Sequence, residues 1–210
     1  MIWLSTSEKR TGIPYERKDD GTSHSYVDLR AFPDQVAALP EVVDDPGFAE
    51  FLGIVNGPAS IFRTVGCGST TSTSDHSEFP CRHVGFVGMA FELWEWNLDR
   101  KNFEDLFLRF SDSAEPEFWT TVSIEFEMSH AFYLEHGADS GWLVTIWIYA
   151  HGATMEESRR KWVDAWRVLQ EFMMRDSLQH LPAGTRNHET LSAGSLRRLN
   201  PPARSIPAGD

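Results

Sequence analysis

What this chain lacks narrows its function before anything it contains does. Two cysteines among 210 residues cannot build a disulfide framework, and no CxxC knuckle marks a compact zinc finger. No apolar run approaches the ~20 residues needed to span a bilayer, so a membrane is not an expected partner. Met1-Ile2-Trp3-Leu4-Ser5 lacks a basic region followed by a long apolar stretch, so no secretory signal is expected and a cytoplasmic location follows by default. Basic charge is scarce too: 19 Lys and Arg stand against 31 Asp and Glu, a net charge of −12. Phosphate contact needs a basic face, which argues against nucleic acid as a partner of the body of the protein. A GxSxG nucleophile elbow, a GxxxxGK[ST] phosphate loop and a GxGxxG turn are all absent, and no internal repeat recurs at a fixed period.

What is present is ordinary in bulk and informative in pattern. The chain is 41% hydrophobic and 24% charged, with eight Trp; this suits a globular domain with a substantial core. From Phe118 the even positions run Phe118, Thr120, Val122, Ile124, Phe126, Met128, His130, Phe132, Leu134. The odd positions carry Glu125, Glu127 and Ser129. One apolar and one mixed face at a period of two predict a half-buried antiparallel strand. A hairpin turn over His136–Gly141, with His136 opposite Trp142, puts Ile124, Phe126, Phe132, Val144, Ile146 and Ile148 on one side. It places Glu127 opposite His151, Ser129 opposite Tyr149 and Ala131 opposite Trp147.

Helix signals flank these strands. Asp45 before Pro46, with Phe48, Phe51, Leu52 and Val55 at helical spacing, predicts a helix ended by Gly57 and Pro58. Asp99 caps a second helix carrying Phe103, Leu106, Phe107 and Phe110. Thr154 and Glu157 form a capping box for a third, whose stripe is Trp162, Ala165, Trp166, Leu169, Phe172 and Met173. Glu156–Arg160, Glu157–Lys161 and Arg167–Glu171 lie four apart on its wet face. Ile61–Val65 reads as a strand start, residues 67–80 as a Gly/Ser/Thr-rich connection, and residues 82–96 as a long strand. Gly85 and Gly88 within it imply close approach of another backbone, or a bulge. The expected fold is α+β: a mainly antiparallel sheet of about four to five strands, packed by a long C-terminal amphipathic helix and one or two shorter helices. Residues 1–184 form the single domain, with a loop-rich segment over 1–30 that has at most a short edge strand. Residues 185–210, with Pro, Gly and Arg, are expected as a flexible tail.

Two constellations carry chemistry. Cys67, His76, Cys81 and His83 are four zinc-type ligands, although the spacing Cys-x8-His-x4-Cys-x-His matches no finger pattern; Cys81 and His83 share one side of a strand. Free thiols are the reading preferred over zinc, and over a Cys67–Cys81 disulfide that would contribute about 3 kcal/mol in an oxidising compartment. The odd hairpin face is the stronger candidate, with Glu125, Glu127 and His151 among Trp119, Trp147 and Tyr149. It offers either a docking patch or two carboxylates and an imidazole for acid–base work or cation binding. Glu127 and His130 fall on opposite strand faces, which excludes a zincin-type pair; His130 is expected as a hydrogen-bonded core residue.

The expected function is therefore non-enzymatic: an acidic module, of the immunity, antitoxin or scaffold kind by analogy of profile, that binds a basic protein partner without a cofactor. The alternative is a metal-dependent or acid–base hydrolase using the Glu/Glu/His face or the Cys/His set. A small-molecule pocket between sheet and helices, lined by Trp94, Trp96 and Trp162, is a third.

Overall fold

The alternation after residue 121 builds two long neighbouring strands at the heart of one sheet. The computed structural model describes residues 1–15, 25–73, 78–114, 120–137 and 139–180. Their elements in chain order are β1 (Ile2–Ile13), α1 (Pro46–Val55), β2 (Phe62–Thr73), β3 (Cys81–Phe91), α2 (Arg100–Ser113), β4 (Val122–Tyr133), β5 (Asp139–Gly152) and α3 (Met155–His180). The five strands form one sheet in the order β1-β4-β5-β3-β2. Every pairing is antiparallel except that of β1 with β4, so the α+β sheet is mixed. Residues 1–180 make one compact unit; the stretch expected as a tail lies outside the described residues. No helix among the described residues is long and apolar enough to cross a membrane.

The helices lie on one face of the sheet, where the even residues of β4 and β5 point. The caps set them as their residues dictate. Asp45 accepts from the Phe48 N–H at 3.2 Å, Asp99 from Lys101 at 2.9 Å, and Thr154 from Glu157 at 3.1 Å, while the Glu157 carboxylate returns to the Ala153 N–H at 2.8 Å. On the wet face of α3 Lys161 pairs with Glu157 at 2.7 Å, and Arg167 reaches Asp164. Trp162 and Trp166 are fully buried, with Phe48 about 5 Å from both rings and Phe51 at 4.6 Å from Trp166. Phe110 of α2 bridges Phe126 of the sheet and Phe172 of α3. Trp162 also explains Gly85, since a Cβ there would sit 2.4 Å from the indole.

Four expectations change. The segment expected as loop contains the 12-residue strand β1; its Ile2 and Leu4 face the helices beside Ile124 and Phe126, while Trp3 and Ser5 lie opposite Glu125 and Glu127. Residues 67–73 continue β2 rather than forming a connection. The strand expected to reach residue 96 stops at Phe91, because the Asn97 side chain accepts from the Phe91 N–H at 2.7 Å and donates to its carbonyl at 2.9 Å. A short 3-10 turn, Trp94–Leu98, follows.

The fourth is the hairpin register. The turn is a 3-10 turn over Leu134–His136 closed by Gly137 at a φ of 78°, in the left-handed region that glycine tolerates. The strands therefore meet at Tyr133–Asp139 and run Glu127 opposite Thr145, Glu125 opposite Trp147 and Ser123 opposite Tyr149. This differs from the expected register by an even number of residues, which keeps each residue on its expected side. At one end, however, the odd face carries its own core, where Ala131, Tyr133 and Leu143 pack with Ile13, Val65 and Ala90, while Phe132, expected among the apolar residues, is half-buried. His130, expected in the core, is half-buried and leans on its cross-strand partner Trp142, ring centroids 4.1 Å apart.

Candidate functional site

The face away from the helices is built from cross-strand rows. One row reads Trp3, Glu125, Trp147, Phe86 and Gly68 from β1 to β2. The next reads Ser5, Glu127, Thr145, Gly88 and Gly66. On the other side of the first lie Ser123, Tyr149, Val84 and Thr70. Glu125, Glu127, Trp147, Tyr149, Trp3 and Phe86 are all half-buried, so this surface is neither core nor a fully solvated face.

Both carboxylates are held by side-chain donors. Ser5 Oγ donates to Glu125 Oε1 at 2.6 Å, and the Tyr149 hydroxyl donates to Glu125 Oε2 at 3.1 Å. Trp147 Nε1–H donates to Glu127 Oε2 at 2.7 Å. The rings form a line: Trp3 stacks with Tyr149 at 6.0 Å, Tyr149 with Trp147 at 6.4 Å, and Trp147 leans on Phe86 at 4.7 Å. Burial, helped by the hydrogen bond to Glu125, pushes the Tyr149 phenol up to about 12, so it remains a donor at ordinary pH. Among the described residues neither carboxylate belongs to an ion pair.

Four of the six expected binding residues thus come together: Glu125, Glu127, Trp147 and Tyr149. His151 does not join them. It lies opposite Arg82, and its N–H donates to the Thr121 carbonyl at 2.9 Å. Thr145, the true partner of Glu127, is six residues away along β5, about 20 Å at ~3.3 Å per residue. No imidazole therefore serves the carboxylate pair from that position. Trp119 lies outside the described residues. Trp3, Ser5 and Phe86 were missed because β1 was read as loop and β3 was read without its neighbours; the apolar Ile2 and Leu4 alternating with Trp3 and Ser5 was the available signal.

The Cys/His set is spread along the β2–β3 hairpin instead of converging. Cys81 pairs with Thr73 and Cys67 with Val87, again about 20 Å apart along the ladder, so neither a bridge nor a shared metal is within reach and both thiols are free. His83 is 6% exposed and packs on Trp162 at 4.4 Å. His76 lies outside the described residues, and among the described residues no group of three or more His, Cys, Asp or Glu is placed to hold a metal.

A cavity of about 510 Å³ opens on this same face, next to the carboxylate row. Thr145 joins the two, lining the cavity while facing Glu127 in the ladder. The three Trp residues expected to line a pocket between sheet and helices do not come together. Trp162 is wholly buried in that layer, and Trp94 and Trp96 sit half-exposed in the turn after β3, Trp94 stacked on His136 and Trp96 edge-on to Phe91.

Comparison of the chain with protein-family models, with curated proteins and with solved structures finds no match. Chemistry alone must supply the reading. Two carboxylates fixed from one side by neutral donors and flanked by aromatic rings can receive an ammonium or guanidinium group through charge-assisted hydrogen bonds and cation–π contact.

Proposed function

We propose that this chain is a non-enzymatic acidic binding module whose open sheet face receives cationic side chains of a basic protein partner, as immunity, antitoxin or scaffold proteins do. One observation carries the reading: Glu125 and Glu127 are pre-oriented by Ser5, Tyr149 and Trp147 yet have no cation among the described residues. Holding a carboxylate in place before the partner arrives reduces the ordering cost of binding. The net charge of −12 would steer a basic partner toward the molecule, and Trp147 and Tyr149 would provide rigid aromatic contacts once it docks.

The test is titration of the full chain with a lysine- and arginine-rich peptide at low and high salt. Saturable binding that weakens with salt and falls at least tenfold in the double variant Glu125→Gln/Glu127→Gln supports the reading. Equal binding by the parent and the double variant overturns it.

A further inference from the structure

We propose that the cavity over Gly66 and Gly88 is a binding site for a small molecule that carries no net charge and has an aromatic or aliphatic ring. The cavity is about 510 Å³, within the roughly 300–1,000 Å³ of small-molecule sites and far beyond the water-sized voids that close-packed interiors leave. Its shape follows from the ladder. Gly66 and Gly88 are cross-strand partners and Thr145 is the next residue in that row, so the sheet presents bare backbone on β2, its edge strand, and on β3 beside it. Phe86 rises two residues to one side of Gly88. On the other side stand Val65, displaced outward by the bulge between Thr64 and Gly66, and Leu143. Tyr15, Leu29 and Leu39 from the segment between β1 and α1 complete the lining.

These two glycines differ from their neighbours. At Gly85 and Gly68 a Cβ would strike Trp162 at 2.4 Å and Phe86 at 2.6 Å, so packing demands glycine there. At Gly66 the nearest atom to an added Cβ is the Tyr15 hydroxyl at 3.0 Å, and at Gly88 it is a Val65 methyl at 3.0 Å, contacts less severe than those at Gly85 and Gly68. Glycine within a strand costs about 0.5–1 kcal/mol relative to Ala, and at Gly66 it lets the Tyr15 hydroxyl come down close over the backbone as part of the cavity wall.

The lining defines the ligand. Its body meets Val65, Phe86, Leu143, Leu29 and Leu39. The polar groups are neutral: burial raises both the Tyr15 phenol and the Cys67 thiol to about 12, and Thr145 is a hydroxyl. The charged residues are of both signs: Lys9 and Arg10 are exposed, where solvent and salt screen them, and the half-buried Glu41 opposes an anion. A ring with one or two hydrogen-bonding groups matches this surface.

The experiment uses the full chain and the uncharged fluorescent probe N-phenyl-1-naphthylamine, with its sulfonated, anionic relative as the comparison. The expected result is saturable binding of one probe per chain, with the anion at least tenfold weaker. Mass spectrometry should show slower alkylation of Cys67 by an uncharged maleimide when the probe is bound, with Cys81 unaffected. Gly66→Leu fills the cavity from the sheet side and Leu39→Trp fills it from the loop side without touching the sheet; whichever variant folds should lose at least tenfold in probe affinity. No saturable binding, undiminished binding in a folded variant, unprotected Cys67, or an anion that binds as tightly as the neutral probe overturns the proposal.

Discussion

The two faces of the sheet use aromatic residues in opposite ways. Toward the helices, Trp162, Trp166, Phe48 and Phe51 are wholly buried and touch one another ring to ring, and the equally buried Phe110 packs on Phe126 and Phe172. On the open face, Trp3, Tyr149, Trp147 and Phe86 form a half-buried line whose polar atoms hold carboxylates. The same residue types therefore act as packing on one side and as a prepared surface on the other. What separates the roles is the residue at the neighbouring positions of the ladder: Ile, Phe and Val on one side, Glu, Ser, Thr and Gly on the other.

Substitution should separate the faces most strongly where a ring is removed. Trp166→Ala on the helix side is expected to cost about 3–5 kcal/mol of folding free energy, the range for deleting a buried large aromatic. Trp147→Ala on the open side should cost clearly less, because its ring is only half-buried. Urea denaturation of the two variants checks this, and equal losses would erase the distinction between the faces. Next in size is a pH effect confined to the helix side. Burial against Trp162 lowers the pKa of His83 below its ordinary value, with Asp45 opposing and Arg159 adding to the effect. Protonation then favours the unfolded chain, so stability is full above pH ~6.5 and falls as the pH drops below it, by at most about 1.4 kcal/mol per pH unit. Denaturation midpoints between pH 7 and pH 5 should show this slope, and His83→Leu should remove it.

Smaller effects test local devices. Thr154→Ala removes the cap of α3 and should cost about 1 kcal/mol, read as a lower melting temperature. Glu125→Gln and Glu127→Gln should each change stability by under about 0.5 kcal/mol, as surface substitutions usually do, while weakening binding of a basic peptide. A large stability loss from either would recast the carboxylates as structural.

Much of the helix side was legible in the sequence because its signals are local. Caps lie within four residues of the groups they bond, and the stripe from Trp162 to Met173 repeats at helical spacing. The open face was legible only in part. Alternation assigned Glu125, Glu127, Trp147 and Tyr149 to one side, but a two-residue period is blind to even slips of register. The left-handed Gly137 and the turn before it decided the pairing, and with it the separation of His151 from Glu127. β1 was obscured because its apolar alternation spans only Ile2 and Leu4 before Ser, Glu, Lys and Arg of an edge strand take over. The cavity was beyond reach, since it depends on Gly66 meeting Gly88 across a bulge that no local pattern announces.

The indole N–H of Trp147 reports on the open face most directly, because it donates to Glu127 at 2.7 Å. Its nuclear magnetic resonance signal should move saturably as a lysine- and arginine-rich peptide is added to the full chain, and the movement should vanish at high salt and in the Glu125→Gln/Glu127→Gln variant. A signal that stays still while the peptide binds would place the contact elsewhere and contradict the assignment of this face as the docking surface.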